Sequence, residues 1–162
     1  MNAVSDTSPL IALAKINQLA LLQELFGDLY IPLAVHWELL AKHGPESIRL
    51  DRAIQQGSIQ VTEPSVLPQE AQATIEHLDK GEQAAIALAH EKHALLIIDK
   101  QLGRSAARKR GLTITGVVGL LIKAKRAGYI PEVLPLLHAL RERGYWLSDK
   151  ILEVAAKQAE EH

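Results

Sequence analysis

The sequence predicts an α/β domain with a mainly parallel sheet, and two observations support this prediction. Short apolar runs alternate along the chain with helical stretches, which is the order of elements in parallel sheets. Residues 94–98 form an apolar run that ends in Asp99, a pattern typical of a central strand covered on both faces. Because open sheets of this class bind ligands at the carboxyl ends of their strands, a functional site is expected there.

The predicted strands are short and either apolar throughout or alternating in character. They cover residues 3–6, 29–31, 58–62, 94–99 and 112–115.

Capping and breaking residues set the expected helix boundaries. Ser8 as N-cap, with Pro9 at the first helical position, predicts the start of the first helix. The predicted helical stretches cover 8–26, 32–44, 46–56, 69–93, 100–110 and 116 to near the end, with breaks at 128–131 and 144–147, and 64–68 is expected to be a loop.

Composition excludes several classes of function. The 162 residues include no cysteine, which excludes disulfide frameworks, cysteine-ligated zinc, iron–sulfur clusters and thiol nucleophiles. The net charge of −1 and an aromatic content of 4% argue against a highly basic or base-stacking nucleic-acid binder. No apolar run approaches the ~20 residues of a membrane span, and no basic leader is expected. We expect one soluble, cytoplasmic domain over residues 1–162.

Two aspartates follow predicted strands. Asp6 and Asp99 both fall at the edge of the sheet where ligands are expected. The alternative roles are helix capping for Asp6, for which Ser8 is better placed, and a solvated loop position for Asp99. Each residue taken alone is as consistent with a structural role as with a functional one.

Glu82 lies on the apolar face of a predicted helix. At 100° per residue it shares this face with Ala85, Ile86 and Ala89. A buried carboxylate without a partner costs several kcal/mol, so this position favours a bound cation. The alternative is an acid in the first turn that is stabilised by the helix dipole.

Glu38 lies in the middle of the helix predicted at 32–44. It borders an expected apolar stripe and, alone, is more typical of the flank of a helix than of a ligand. The expected stripe is Leu33, Trp37, Leu40 and Ala41, and Trp37 and Trp146 are both expected in the core or in an interface.

Together the four acids suggest a carboxylate-rich pocket that needs a divalent cation to offset their repulsion. All-oxygen ligation suits Mg²⁺ or Mn²⁺ better than zinc. Such a pocket is suited to phosphodiester hydrolysis, in which a metal activates water and neutralises developing charge.

Several short segments, rather than one specific motif, carry a resemblance that covers roughly residues 3–152. The segments are SDTSPLI (5–11), YIP through EL (30–39), DKGEQAAIALA (79–89), LIID (96–99), GVVGLL (116–121) and GYWLS (144–148). Their order and spacing resemble the PIN-domain ribonucleases, and among them a VapC-like branch.

This resemblance implies a three-layer α/β/α sandwich with a mainly parallel five-stranded sheet, on which C-terminal helices (about 117–160) pack. It implies an endoribonuclease dependent on Mg²⁺ or Mn²⁺, in which Asp6, Glu38, Glu82 and Asp99 are catalytic metal ligands. Ser8 matches a hydroxyl position that can assist metal or water binding. A homodimer and, for VapC-like members, a cognate antitoxin protein are also implied.

Basic residues concentrate after Asp99. Residues 100–126 contain eight bases and no acid, so a patch that binds RNA phosphates is predicted. Lys100, Arg104 and Arg108, with Ser8, are the predicted RNA contacts, and the alternative is a solvated helix face. Lys100 also departs from the family pattern, in which a second aspartate often follows the first, so it either weakens metal binding or contacts phosphate.

The leading hypothesis is therefore a metal-dependent endoribonuclease, and its finer form is the toxin of a toxin–antitoxin pair. The alternative is a catalytically weak or inactive protein that binds nucleic acid or a partner through the same pocket. A third alternative is an acid-based phosphatase or another α/β hydrolase. The segment Asp6-Thr7-Ser8 argues against it, because it lacks the second nearby aspartate that such phosphatases use as an acid–base.

Overall fold

The computed structural model describes residues 2–42, 44–64, 67 and 69–161. Most of the predicted loop at 64–68 lies outside the described residues. The strands are β1 (Asn2–Ser5), β2 (Asp28–Ile31), β3 (Gln60–Val61), β4 (Leu95–Ile97) and β5 (Ile114–Thr115). The helices are α1 (Thr7–Lys15), α2 (Ala20–Leu25), α3 (Leu33–Ala41), α4 (Pro45–Gln55), α5 (Gln69–Ala73), α6 (Lys80–Lys92), α7 (Gln101–Lys109), α8 (Val117–Arg126), α9 (Leu134–Glu142) and α10 (Asp149–Gln158).

The five strands form a parallel sheet in the order β3-β2-β1-β4-β5, so the predicted fold class is confirmed. β1 is the central strand and pairs with β2 and β4. The pairing extends beyond β1, because the Asp6 N–H donates to the carbonyl of Ile97 at 2.9 Å. Asp6 is therefore fixed at the carboxyl end of the central strand.

Side chains alternate between two apolar cores on opposite faces of the sheet, as the period of two residues in a strand requires. Ala3 and Ile97 face a core that includes α1, α8, α9 and α10. Val4 and Leu96 face a second core that includes α6 and α7. The chain therefore forms three layers, with helices on both sides of the sheet.

The first helix begins two residues earlier than predicted, at Thr7 rather than at Pro9. Asp6, not Ser8, occupies the N-cap position, with extended backbone angles, and its side chain makes no capping hydrogen bond. The reason is that Asp6 still pairs with β4, so the chain passes directly from strand to helix. Pro9 is tolerated at the third helical position because N–H groups of the first turn have no partner within the helix.

The predicted apolar stripe on α3 is wrong. The buried residues of this helix are Val35 and Leu39, which face the core that includes α1, whereas Trp37 is 61% and Leu40 is 52% exposed. Apolar residues surround much of this helix, so their period does not identify the buried face. Trp146 is 82% exposed, so neither tryptophan lies in the core, and their expected role in an interface stays a prediction.

No helix within the described part of the chain is both long enough and apolar enough to cross a membrane.

Candidate functional site

Three of the four predicted acids lie near the carboxyl end of β1, where Asp6 interacts electrostatically with both Glu38 and Glu82. Asp6 follows β1 directly, Glu38 extends from α3, and Glu82 lies in the first turn of α6. Thr7 joins two of these elements, because its hydroxyl donates to Glu38 Oε2 at 2.8 Å. The packing of α3 against α1 and α6 places Glu38 and Glu82 within electrostatic range of Asp6.

Asp6 is the most deeply buried of the acids, with 3% of its surface exposed. Burial raises the pKa of its carboxyl to about 6, and the negative charges of Asp79 and Glu38 add to the increase. The N–H of Thr7 and the charge of Lys100 act in the opposite direction. A carboxyl with these neighbours is better accommodated when a cation lies beside it.

Glu82 is buried at the N-terminus of α6, as its helical position predicted. Its Oε2 is fully enclosed and has no hydrogen-bond partner in the described structure, while its Oε1 lies 3.6 Å from the ammonium of Lys100. Burial raises the pKa of Glu82 to about 7, assisted by a hydrogen bond with Asp79 and by the charges of Asp79 and Asp6. Glu82 is thus a buried acid with spare capacity to bind a cation.

Asp79 is the N-cap of α6, and sequence reasoning gave it no role. Its Oδ1 accepts the N–H of Glu82 at 2.8 Å, and its Oδ2 lies 3.1 Å from Lys100 Nζ. Although burial acts to raise its pKa, hydrogen bonds from Glu82 and Lys100 lower it overall. The spacing of Asp79 and Glu82, three residues apart at a helix start, is a signal that could have identified this cap.

Glycine at position 81 allows Glu38 to approach α6. A Cβ atom there would overlap Glu38 Oε1, whereas the glycine leaves this volume to the carboxylate. Within this one turn, Asp79 caps the helix, Gly81 lets Glu38 approach, and Glu82 is buried.

Asp99 has a different set of neighbours. Its Oδ2 accepts the hydroxyl of Tyr145, and its Oδ1 accepts the N–H of Val117 at 3.0 Å. Burial raises the pKa of Asp99, while these hydrogen bonds and the charge of Arg104 act to lower it. Tyr145 lies before α10 in the sequence, within the segment GYWLS (144–148), but its hydroxyl contacts Asp99, a role that sequence reasoning did not assign to it. Asp99 therefore lies beside the start of α8. The next residue, Lys100, instead extends toward Asp79 and Glu82.

The predicted RNA contacts have different environments. Ser8 lies partly buried within α1, and Thr7 is the hydroxyl that contacts an acid. Arg104 donates to the carbonyl of Ile98 at 2.9 Å and lies beside Asp99, whereas Arg108 is exposed.

The basic segment does not form one patch. Helices α7 and α8 pack on opposite faces of the sheet, so the eight bases are divided between them. Lys125 is further occupied by an ion pair with Glu161 at 2.9 Å. The prediction that these bases form one patch is thus wrong. They are close in sequence, but β5 lies between α7 and α8, and the two helices pack on opposite faces of the sheet.

The comparison with known families matches residues 2–161 to a model described as a PIN domain. The chain belongs to the PIN-domain family. No curated protein matches it. PIN domains are generally nucleases, and they typically use divalent metals. This match confirms the family suggested by the sequence, while the VapC-like branch stays a prediction.

The residues of this PIN domain fit a hard divalent cation by their chemistry. The available donors are carboxylate oxygens, and the unpartnered, buried Glu82 Oε2 marks a position where a cation would satisfy an acid. Among the residues that the structure describes, no three Asp, Glu, His or Cys side chains are arranged as a metal-binding group. Asp6 is therefore close enough to Glu38 and Glu82 to interact with them electrostatically. The described carboxylates are not, however, as close together as the ligands of a bound metal ion.

Proposed function

We propose that this PIN domain is an endoribonuclease dependent on Mg²⁺ or Mn²⁺. The observation that carries the proposal is Glu82, a buried carboxylate whose Oε2 has no partner among the described residues and which lies within electrostatic range of buried Asp6. Burying two acids together is costly without a compensating cation, so this arrangement indicates a site for one.

Asp6, Glu38 and Glu82 would hold the cation from three elements, and Asp99 is the fourth predicted ligand. When bound, a divalent ion supplies an activated water and neutralises charge on a phosphodiester. The chain's own residues orient this chemistry. Thr7 fixes the carboxylate of Glu38, and Asp79 caps the helix that presents Glu82.

RNA would be held through its phosphates. Arg108 is exposed on α7, the helix that begins directly after Asp99 and Lys100. Contacts of this type position a backbone without reading its sequence. Arg104, which the structure ties to Ile98, would act by holding the loop that carries Asp99.

The test is cleavage of labelled RNA by the purified full chain with Mg²⁺, with Mn²⁺ and with a chelator. We expect cleavage that requires metal, and a loss of about 100-fold or more in Asp6→Asn, since this variant removes a charged ligand. Asp28→Asn is the matched control, because Asp28 is exposed and begins β2 at the opposite edge of the sheet. Equal cleavage by Asp6→Asn and wild type would contradict the proposal.

The finer proposal is that this nuclease is the toxin of a toxin–antitoxin pair, acts as a homodimer in the cytoplasm and is held inactive by a cognate antitoxin protein. Its support is the VapC-like resemblance. Induced expression in a bacterial host is expected to stop growth, and Asp6→Asn is expected to relieve the arrest. Arrest by both forms at equal protein levels would separate any toxicity from nuclease chemistry and count against this role.

A second candidate function is binding of nucleic acid or a partner without catalysis. The observation that favours it is the ion pairing of Lys100 with Glu82 and Asp79, which supplies a cation from the chain itself. Salt-sensitive RNA binding with no cleavage in Mn²⁺ would support this function over the first.

A further inference from the structure

We propose that the ammonium of Lys100 is a resident cation of the acidic site and competes with a divalent metal ion for Glu82. This inference rests on the proposed metal-dependent function. It goes further by assigning to one side chain the control of metal affinity.

The geometry of Lys100 supports this role. Its Nζ lies 3.1 Å from Asp79 Oδ2 and 3.6 Å from Glu82 Oε1, so it bridges an exposed acid and a buried one. Asp6 also lies within electrostatic range of the same ammonium. Lys100 stands at the N-cap position of α7, directly after Asp99, and its side chain extends toward the acids.

Burial of its partner makes this ion pair different from an ordinary surface pair. Exposed pairs contribute little, because water screens both charges. The side chain of Glu82 is 94% enclosed, so its charge is poorly solvated and depends on a nearby cation. Lys100 satisfies Oε1 in part, while Oε2 has no partner among the described residues.

A divalent ion approaching Glu82 would meet the positive charge of Lys100 at a distance of a few ångströms. Like charges this close repel, and water screens only part of this repulsion because the Lys100 side chain is 54% exposed while Glu82 is buried, so the metal must bind with the ammonium displaced or at a reduced affinity. A substitution that removes the charge of Lys100 should therefore strengthen metal binding. A substitution by arginine, which keeps the charge, should not strengthen it.

The experiment is calorimetric titration of the chelator-treated full chain with Mn²⁺. Lys100→Met keeps a side chain of similar length without charge and is expected to bind Mn²⁺ about tenfold more tightly than wild type. Lys100→Arg keeps the charge and is expected to remain within about twofold of wild type. Lys80→Met is the matched control, because Lys80 is exposed at the start of α6 and its replacement changes the net charge equally.

Unchanged or weaker Mn²⁺ binding by Lys100→Met would overturn the inference, as would an equal gain in Lys80→Met or no measurable Mn²⁺ binding by any form. Circular dichroism in chelator verifies that the variants are folded. RNA cleavage is measured separately. Tighter binding by Lys100→Met without cleavage by any form would support the inference and refute the proposed nuclease, whereas cleavage with unchanged affinity would do the reverse.

Discussion

Three of the four predicted acids each lie against a glycine. A Cβ atom at any of these glycines would overlap a carboxylate oxygen, so the absence of a side chain is what admits the acid. The pairs are Gly81 with Glu38, Gly103 with Glu82 and Gly116 with Asp99. These glycines lie on α6, on α7 and at the start of α8. The position of each acid therefore depends on a glycine backbone that its carboxylate can approach closely.

Gly103→Ala tests this steric requirement. The added Cβ would lie 2.5 Å from Ile98 Cδ1 and 2.7 Å from Glu82 Oε2, so we expect a loss of about 1–3 kcal/mol in the free energy of unfolding, measured with urea. Metal affinity should fall as well, because Glu82 must move. In an open helix the same change stabilises by up to about 1 kcal/mol, so a gain in stability would contradict this account.

At the level of elements, the side chain of Tyr145 connects the segment between α9 and α10 to Asp99. Tyr145 lies between α9 and α10, and its hydroxyl donates to Asp99, which follows β4. Burial and the charge of Asp99 raise the pKa of Tyr145 well above its usual range, so the hydroxyl remains a donor at neutral pH. The contact fixes the direction of Asp99 and couples the last helices to the sheet.

Tyr145→Phe is expected to lower the free energy of unfolding by about 2 kcal/mol, since it removes a hydrogen bond to a charged acceptor. Tyr129→Phe is the control, because Tyr129 is 48% exposed and lies between α8 and α9, and its effect should stay within about 0.5 kcal/mol. Both are measured by urea denaturation at neutral pH. Equal effects of the two variants would show that the Tyr145 hydroxyl has no special role.

For the whole molecule, the buried acids predict how stability depends on pH without metal. The pKa values of Asp6, about 6, and Glu82, about 7, exceed those of an unfolded chain, which are about 4. From about pH 4 to pH 7 the folded state therefore binds more protons than the unfolded state, so its stability falls as pH rises.

We expect the metal-free chain to lose several kcal/mol of unfolding free energy across this window, measured with urea at fixed ionic strength. The double variant Asp6→Asn with Glu82→Gln should lose less, because these groups no longer titrate, whereas Asp28→Asn should follow wild type. Adding Mn²⁺ should stabilise wild type more at pH 8 than at pH 5, since protons compete with metal for the carboxylates. Parallel pH profiles for wild type and the double variant would contradict the prediction.

Much of the fold and part of the site could be predicted from local patterns. Alternating apolar runs located all five strands, and glycine and proline positions located most helix ends. The helical period correctly indicated that Glu82 is buried. The same reasoning failed on α3, where apolar residues on several sides concealed the face that includes Val35 and Leu39.

The sequence by itself determined the α/β class, the position of Asp6 at a strand end and the burial of Glu82, because each follows from periodicity within a few residues. Tertiary structure decided the rest. Although Asp99 and Lys100 are adjacent, Asp99 contacts Tyr145 whereas Lys100 pairs with Glu82. The packing of α7 and α8 on opposite faces of the sheet also separates their basic residues. The reason is physical: periodicity assigns a residue to a face, but the direction of a side chain beyond a strand depends on the partners that packing brings from distant parts of the chain.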